Sequence, residues 1–115
     1  MKKTISSISA VVTLVTLFMM PTQAGAKEMT GKQVAFDRKL GNCLGCHAIA
    51  GGSQPGNAGP PLIAMKARFP DKAVLRAQIW DATAKNPNSL MPPFGKHSAL
   101  TETQIDKITD FIHSL

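Results

Sequence analysis

Aromatic residues, cysteine and long apolar runs are all scarce in this sequence. Its 115 residues include one tryptophan, five phenylalanines, two cysteines and no tyrosine. A tetrahedral zinc site needs about four cysteine or histidine ligands, so the lack of a third cysteine disfavours one. No basic block with interleaved aromatic residues indicates nucleic-acid binding, and no segment has the pattern of a strand or hairpin. These absences predict a small all-α protein with a limited apolar core.

The one sizeable apolar run lies near the N-terminus. Two lysines precede a mostly apolar stretch over residues 8–20, and an Ala-x-Ala site ends at Ala26. This pattern predicts a secretory signal peptide over residues 1–26, because a membrane-spanning helix needs about 20 apolar residues. An uncleaved membrane anchor is the alternative. Cleavage after Ala26 would leave one periplasmic domain, residues 27–115, with no membrane segment.

Positive charge exceeds negative charge. The chain has 13 lysines and arginines against 7 aspartates and glutamates, a formal net charge of +6. Loss of residues 1–26 removes two of the basic residues and none of the acidic ones, which leaves +4. This balance favours docking with an acidic partner or an anion.

Both cysteines belong to one pentapeptide, Cys-Leu-Gly-Cys-His, at residues 43–47. Cys43 and Cys46 have the spacing that lets two thiols bond the two vinyl groups of one porphyrin, and His47 then reaches the iron. The motif therefore predicts one covalently attached haem c with His47 as an axial ligand. A thioredoxin-like thiol pair is the alternative, but no strand–helix unit flanks the motif. Because the chain is small and poor in aromatic residues, we expect its haem-free form to be largely unfolded.

Four segments have the patterns of helices. They are residues 30–40, 62–68, 71–85 and 101–115. The last is the clearest, because Thr101 and Gln104 have the spacing of a capping box, and apolar residues then recur at helical spacing. A loop rich in glycine and proline separates the first two segments. Together these patterns predict an all-α protein with long ordered loops around a haem.

The second axial ligand separates electron transfer from gas binding or catalysis. Met91 is the predicted ligand, because Pro92 and Pro93 restrict the loop that carries its thioether. Ligation by one histidine and one methionine raises the reduction potential of a haem. Met65 and His97 are the alternatives, although Met65 has the context of helix packing and His97 that of a solvated loop residue.

Residues around the ligands suggest further contacts. The Gly-Pro-Pro-Leu segment at residues 59–62 resembles the segment of class I cytochromes c whose carbonyl accepts a hydrogen bond from the axial histidine. The resemblance implies this role for the Pro60 carbonyl, and loop stiffening is the alternative. Trp80 could donate its indole N–H to a haem propionate, or it could simply be buried on the third helix. His113 lies near the end of the last helix, where we expect an exposed side chain.

Several segments together resemble the SoxX family, the monohaem cytochromes of sulfur oxidation. They are residues 41–49, 59–62, 66–71, 75–81, 91–95 and 100–105. The similarity covers roughly residues 38–115. All c-type cytochromes share the haem motif. The combination of the Met-Pro-Pro-Phe-Gly loop with the Arg-Phe-Pro-Asp segment is typical of a much smaller group of proteins.

The resemblance implies a class I cytochrome c-like fold and a place in a complex. SoxX pairs with the larger cytochrome SoxA as a heterodimer, and SoxAX couples thiosulfate oxidatively to a cysteine of the carrier protein SoxYZ, an L-cysteine S-thiosulfotransferase reaction. Electrons then pass through the SoxX haem to a soluble acceptor. By this analogy Cys43 and Cys46 hold the haem, His47 and Met91 are its axial ligands, and the chemistry takes place on the partner. The chain itself offers no catalytic residue.

Three other functions stay open at this point. The first is a free, diffusible periplasmic cytochrome c that carries electrons to an oxidase or reductase. The second is an enzyme or sensor with an open iron site, which requires that Met91 does not bind. The third is a haem-free thiol oxidoreductase.

Overall fold

The computed structural model describes residues 28–115, so the predicted signal peptide and its cleavage site lie outside the described residues. Within this range four helices form: α1 Gly31–Phe36, α2 Met65–Arg68, α3 Lys72–Trp80 and α4 Glu102–His113. Single 3₁₀ turns occur at Cys43–Gly45 and Ala82–Ala84. No strand forms in residues 28–115, where one isolated bridge joins Ile49 to Leu62. The all-α prediction is confirmed, and no helix of the described chain has the length and apolarity to cross a membrane.

The first and last helices begin with the same capping box. The Thr30 hydroxyl accepts from the Gln33 backbone N–H at 3.2 Å, and the Gln33 side chain accepts from the Thr30 N–H at 2.8 Å. Thr101 and Gln104 repeat this exchange at 3.2 and 2.9 Å. Each box satisfies two of the N–H groups that a helix start leaves unpaired. The predicted start of α4 is therefore confirmed.

Helix α1 ends earlier than the predicted segment, residues 30–40. Asp37 leaves the helical region with a ψ of 124°, and its carboxylate accepts from the Lys39 N–H at 2.7 Å. This local turn competes with continuation of the helix. The chain then folds back, and the Gly41 N–H donates to the Val34 carbonyl at 3.1 Å. The turn delivers the chain directly to the cysteine motif.

Helix α2 is also shorter than predicted, because residue 62 is held outside it. The Leu62 N–H donates to the Ala48 carbonyl at 2.9 Å, so the chain stays extended there. Ala64 then adopts a left-handed conformation with a φ of 50°, which leaves α2 a single turn. The loop between the cysteine motif and α2 therefore lies against the residues that follow the motif.

Helix α3 begins where the sequence predicts. The Asp71 carboxylate caps it by accepting from the Ala73 N–H at 2.8 Å. Leu75 and Ile79 are buried, whereas the neighbouring Val74 is 38 % exposed. Only part of the apolar surface of α3 therefore faces the core.

The two terminal helices cross at a close contact and form the centre of the core. Gly31 lies directly against the Lys107 backbone, and the Phe36 and Phe111 rings meet edge to face with centroids 5.9 Å apart. Edge-to-face pairs add to the free energy gained by burying the rings. The buried apolar residues are Val34, Ala35, Ile49, Leu62, Met65, Leu75, Ile79, Ala82, Phe94, Leu100, Ile105, Ile108 and Ile112. This core closes one wall of a large cavity.

Candidate haem-binding cavity

A cavity of about 740 Å³ opens between the cysteine motif, α2, α3 and the loop before Phe94. All four residues predicted to hold the haem line it: Cys43, Cys46, His47 and Met91. Most of its remaining lining is apolar, with contributions from α4. The fold thus brings the two thiols, the imidazole and the Met91 thioether to a single space.

The 3₁₀ turn at Cys43–Gly45 places the cysteines and the histidine together. Asn42 enters the turn in a left-handed conformation, with a φ of 46°. The Cys46 and His47 N–H groups both donate to the Cys43 carbonyl, at 3.2 and 2.9 Å. One tight turn therefore fixes three side chains on the same cavity wall.

The His47 imidazole is oriented by the Pro60 carbonyl. His47 Nδ1 lies 2.7 Å from that oxygen. A carbonyl oxygen can only accept, so Nδ1 carries the proton and donates it. The bond fixes the tautomer and leaves Nε2 available to a metal, the usual arrangement for a ligating histidine. The contact implied by the Gly-Pro resemblance is therefore present.

Gly59 packs against the face of the same imidazole. A Cβ added to Gly59 would lie 2.6 Å from His47 Nδ1, too close for any side chain. The Gly59 N–H donates to the Cys46 carbonyl at 2.9 Å. The absence of a side chain at residue 59 thus lets the Pro60 carbonyl reach the ring. The sequence showed only a glycine beside two prolines, and nothing in it revealed this contact.

The loop that carries Met91 is anchored on Trp80. The Gly95 and Lys96 N–H groups donate to the Trp80 carbonyl at 3.1 and 3.3 Å, and Gly95 lies flat against the indole. At the other end, the Met91 N–H donates to the Ser89 hydroxyl at 3.2 Å. These bonds add to the two prolines in restricting the loop. The half-buried Met91 side chain lines the cavity.

Trp80 and the two alternative ligands occupy different environments. Trp80 is not among the lining residues of the cavity and packs against Gly95, which favours the alternative of burial over a propionate contact. His97 is exposed and also lies outside the lining. Met65 is 1 % exposed in the core and does line the cavity. His113, expected to be exposed, is half-buried, with Nε2 3.0 Å from the Phe69 carbonyl oxygen.

The chemistry of the thiols differs from that of a redox pair. Cys43 and Cys46 form no disulfide with each other, and burial raises the pKa of the Cys43 thiol to about 11. A thioredoxin-like pair needs a thiol with a lowered pKa. Within residues 28–115 no group of three or more histidine, cysteine, aspartate or glutamate side chains could hold a metal ion. The cavity therefore does not have the features of a thiol oxidoreductase or of a zinc site.

The residues present fit a covalent haem. Cys43 and Cys46 would form the two thioethers, His47 would be an axial ligand through Nε2, and the apolar walls suit a porphyrin. When bound, haem supplies one-electron redox chemistry. The chain's own residues would hold the group, and the Pro60 carbonyl orients the imidazole.

A helical fold around a cavity with this motif defines a class I c-type cytochrome. The chain belongs to the family described as "Cytochrome C oxidase, cbb3-type, subunit III", which matches residues 26–112. Membership of this cytochrome c family makes haem c its cofactor and electron transfer its role.

A solved structure shares the fold. The chain is similar to one in the crystal structure of SoxXA from P. pantotrophus, with a TM-score of 0.66 and 24 % sequence identity, over 73 % of this chain and 77 % of that one. At this identity the likeness establishes the fold, and it agrees with the resemblance to SoxX. A comparison with curated proteins returned no match.

Proposed function

We propose that this chain is the SoxX-type electron-transfer subunit of a thiosulfate-oxidising complex. It would carry one covalent haem c on Cys43 and Cys46, with His47 and Met91 as axial ligands. The observation that carries the proposal is the likeness of the fold to the SoxXA chain, together with motifs that resemble those of SoxX. By this analogy a SoxA-like subunit binds the chain, and a SoxYZ-like carrier and a soluble acceptor are transient partners.

Contacts around Arg68 support Met91 over Met65 as the second ligand. Arg68 Nη1 lies 3.4 Å from the Met65 sulfur and 2.9 Å from the Pro61 carbonyl oxygen. The Met65 sulfur is therefore held beside the loop that orients His47. Met91 reaches the cavity from a separate loop, anchored on α3. Because its loop is separate from the segment that orients His47, Met91 is the better candidate for the second ligand.

A restrained methionine loop suits electron transfer. A thioether is a soft ligand that favours the reduced iron, and a stiff loop limits rearrangement between the oxidation states. The prolines, the Ser89 contact and the Trp80 contacts all restrain this loop. A closed sixth position also leaves no site for gas binding.

The reaction with thiosulfate would take place on the partner. Both cysteines of this chain would be committed to haem attachment, and among the described residues no aspartate, glutamate or second histidine lines the cavity. The chain would therefore contribute to the L-cysteine S-thiosulfotransferase reaction by accepting electrons. The predicted signal peptide over residues 1–26 would export it to the periplasm, where we expect the complex to work.

The test is thiosulfate-dependent reduction of this haem. Haem-loaded protein is mixed with thiosulfate, a SoxYZ carrier and a SoxA-type cytochrome, and reduction is followed by absorption. We expect reduction only when all components are present, and equimolar co-purification of the two cytochromes from a native host. An unrelated cytochrome c of similar potential is the control, and equally fast reduction of it would contradict a specific role.

A second candidate is a diffusible cytochrome that delivers electrons to a terminal oxidase. The observation that favours it is the family match, whose description names an oxidase subunit. Membranes that contain a terminal oxidase would then oxidise the reduced protein rapidly, and the protein would be purified alone from cells with intact Sox proteins. Rapid oxidation combined with no reduction by the SoxA-type partner would favour this candidate.

A further inference from the structure

We propose that Arg68 is a positioning residue of the haem site, whose guanidinium holds the Pro60–Pro61 loop and so keeps the Pro60 carbonyl on the His47 imidazole. The inference rests on the proposed role of His47 as an axial ligand. Arg68 does not hydrogen-bond to His47 itself and would act on it through the loop.

The support begins with helix α2, which carries Arg68. A helix of one turn is not stable alone, so its position depends on its neighbours. The C-terminal part of the chain holds both ends of α2. The Met65 N–H donates to the Leu115 carbonyl at 2.9 Å, and His113 Nε2 lies 3.0 Å from the Phe69 carbonyl oxygen, so Nε2 donates there. The backbone that carries Arg68 is therefore held in place at both ends of α2.

The Arg68 side chain extends from α2 to the loop beside His47. Its Nη1 donates to the Pro61 carbonyl at 2.9 Å and lies 3.4 Å from the Met65 sulfur. The neighbouring carbonyl, that of Pro60, accepts from His47 Nδ1 at 2.7 Å. Adjacent carbonyls of one rigid Pro-Pro step are thus bonded to the arginine and to the ligand. Proline provides no N–H at either position, so the backbone of this step cannot donate a hydrogen bond of its own.

The expected effect is a looser loop. Loss of the Arg68 bond frees one end of the Pro-Pro step, and the Pro60 carbonyl then separates from His47 more often. The His47 Nδ1 proton should therefore exchange with solvent up to about tenfold faster, which corresponds to about 1.4 kcal/mol in the opening equilibrium.

The experiment measures that proton by NMR in reduced, haem-loaded protein. Arg68→Met removes the guanidinium but keeps an unbranched apolar side chain. Lys66→Met is the matched control, because Lys66 has the same charge on the same helix, is exposed and does not line the cavity. We expect faster exchange of the His47 Nδ1 proton in Arg68→Met and a wild-type rate in Lys66→Met.

Two outcomes would overturn the proposal. One is a rate within about twofold of wild type in Arg68→Met, even if its melting temperature falls, since Arg68 would then be merely structural. The other is equal acceleration in both variants, which would assign the effect to lost charge. If Arg68→Met retains too little haem, Arg68→Gln answers the same question, because its side chain is two bonds shorter. Failure of the wild type to bind haem would instead contradict the proposed function.

Discussion

Single side chains decide the chemistry of this site, and Met91 is the first to test. Replacing it with alanine should open the sixth position of the iron, so the reduced protein would bind carbon monoxide rapidly. The reduction potential should fall by an amount on the order of 0.1 V, within the range of about 0.8 V that axial ligands span. Stopped-flow absorption and potentiometry measure the two effects.

Met65 supplies the matched control for that substitution. Met65→Leu conserves volume in a side chain that is 1 % exposed, and such changes usually cost less than about 1.5 kcal/mol. This variant should keep the wild-type potential and its slow reaction with carbon monoxide. The opposite pattern in the two variants would assign the iron–sulfur bond to Met65.

Gly59 should tolerate no side chain. In Gly59→Ala the new Cβ would meet the His47 ring, and overpacking of this kind costs about 1–3 kcal/mol. The nearest atoms to a new Cβ in Gly45→Ala, within the haem motif itself, would be those of the flexible Asn42 amide. Thermal unfolding of the haem-loaded variants should show a clear loss for Gly59→Ala and little change for Gly45→Ala. Equal melting temperatures would contradict the close packing.

The sequence predicts the ligand types more readily than the residues that orient them. The cysteine motif has a fixed spacing set by the porphyrin, and the prolines beside Met91 indicate a stiff loop. Gly59 and Arg68 give no such signal, because their contacts join segments whose relative position only the fold defines. Trp80 shows the same limit: its indole N–H suggested a cofactor contact, whereas its ring supports Gly95.

At the scale of the helices, the close crossing of α1 and α4 predicts whether Gly31→Ala raises or lowers the free energy of unfolding. Alanine is the better helix former than glycine by about 1 kcal/mol, so propensity alone predicts that Gly31→Ala stabilises the protein. The new Cβ, however, would overlap the Lys107 carbonyl, and backbone cannot move aside cheaply. We expect a net loss of about 1–2 kcal/mol in denaturant unfolding. A gain in stability would show that the helices separate easily.

The end of α3 should give the protein an acid-sensitive contact. The pKa of Asp81 lies below its ordinary value because its carboxylate accepts from Thr83 and pairs with Lys96 at 3.0 Å. This stabilisation is present above pH ~4 and is lost as the pH falls through the lowered pKa. The gap in melting temperature between wild type and Asp81→Asn should therefore narrow from about pH 6 to about pH 3.

Lys96→Gln is the control for this pH dependence. It removes the ion pair and leaves the hydrogen bond from the Thr83 hydroxyl, the largest single cause of the lowered pKa. Part of the acid sensitivity should therefore persist in it. A constant gap between wild type and Asp81→Asn across the pH range would contradict the assignment to Asp81.

Helix ends are predictable where a side chain caps them and poorly predictable where tertiary contacts end them. The caps at Thr101 and Asp71 are readable because the capping side chain lies within three residues of its N–H partner. By contrast, α2 is shortened by the contact between Leu62 and Ala48, which are far apart in sequence. The local pattern of residues 62–68 contains no trace of that contact.

For the whole molecule, the size of the cavity bears on folding without haem. Without a bound porphyrin its apolar lining, which includes Leu62, Leu75 and Ile79, would face solvent and lose a packing partner. Small domains have a total stability of only about 5–15 kcal/mol. The Cys43→Ala/Cys46→Ala variant, prepared without haem, should show little cooperative unfolding by calorimetry. A sharp melt would mean that the polypeptide closes the cavity by itself.

The most direct test of the haem assignment is an absorption spectrum of the protein from a host that attaches haem in the periplasm. We predict haem that stays bound after denaturation, and a near-infrared sulfur-to-iron charge-transfer band in the oxidised protein that Met91→Ala abolishes. Haem that separates from the denatured chain, or a band that survives in Met91→Ala, would contradict it.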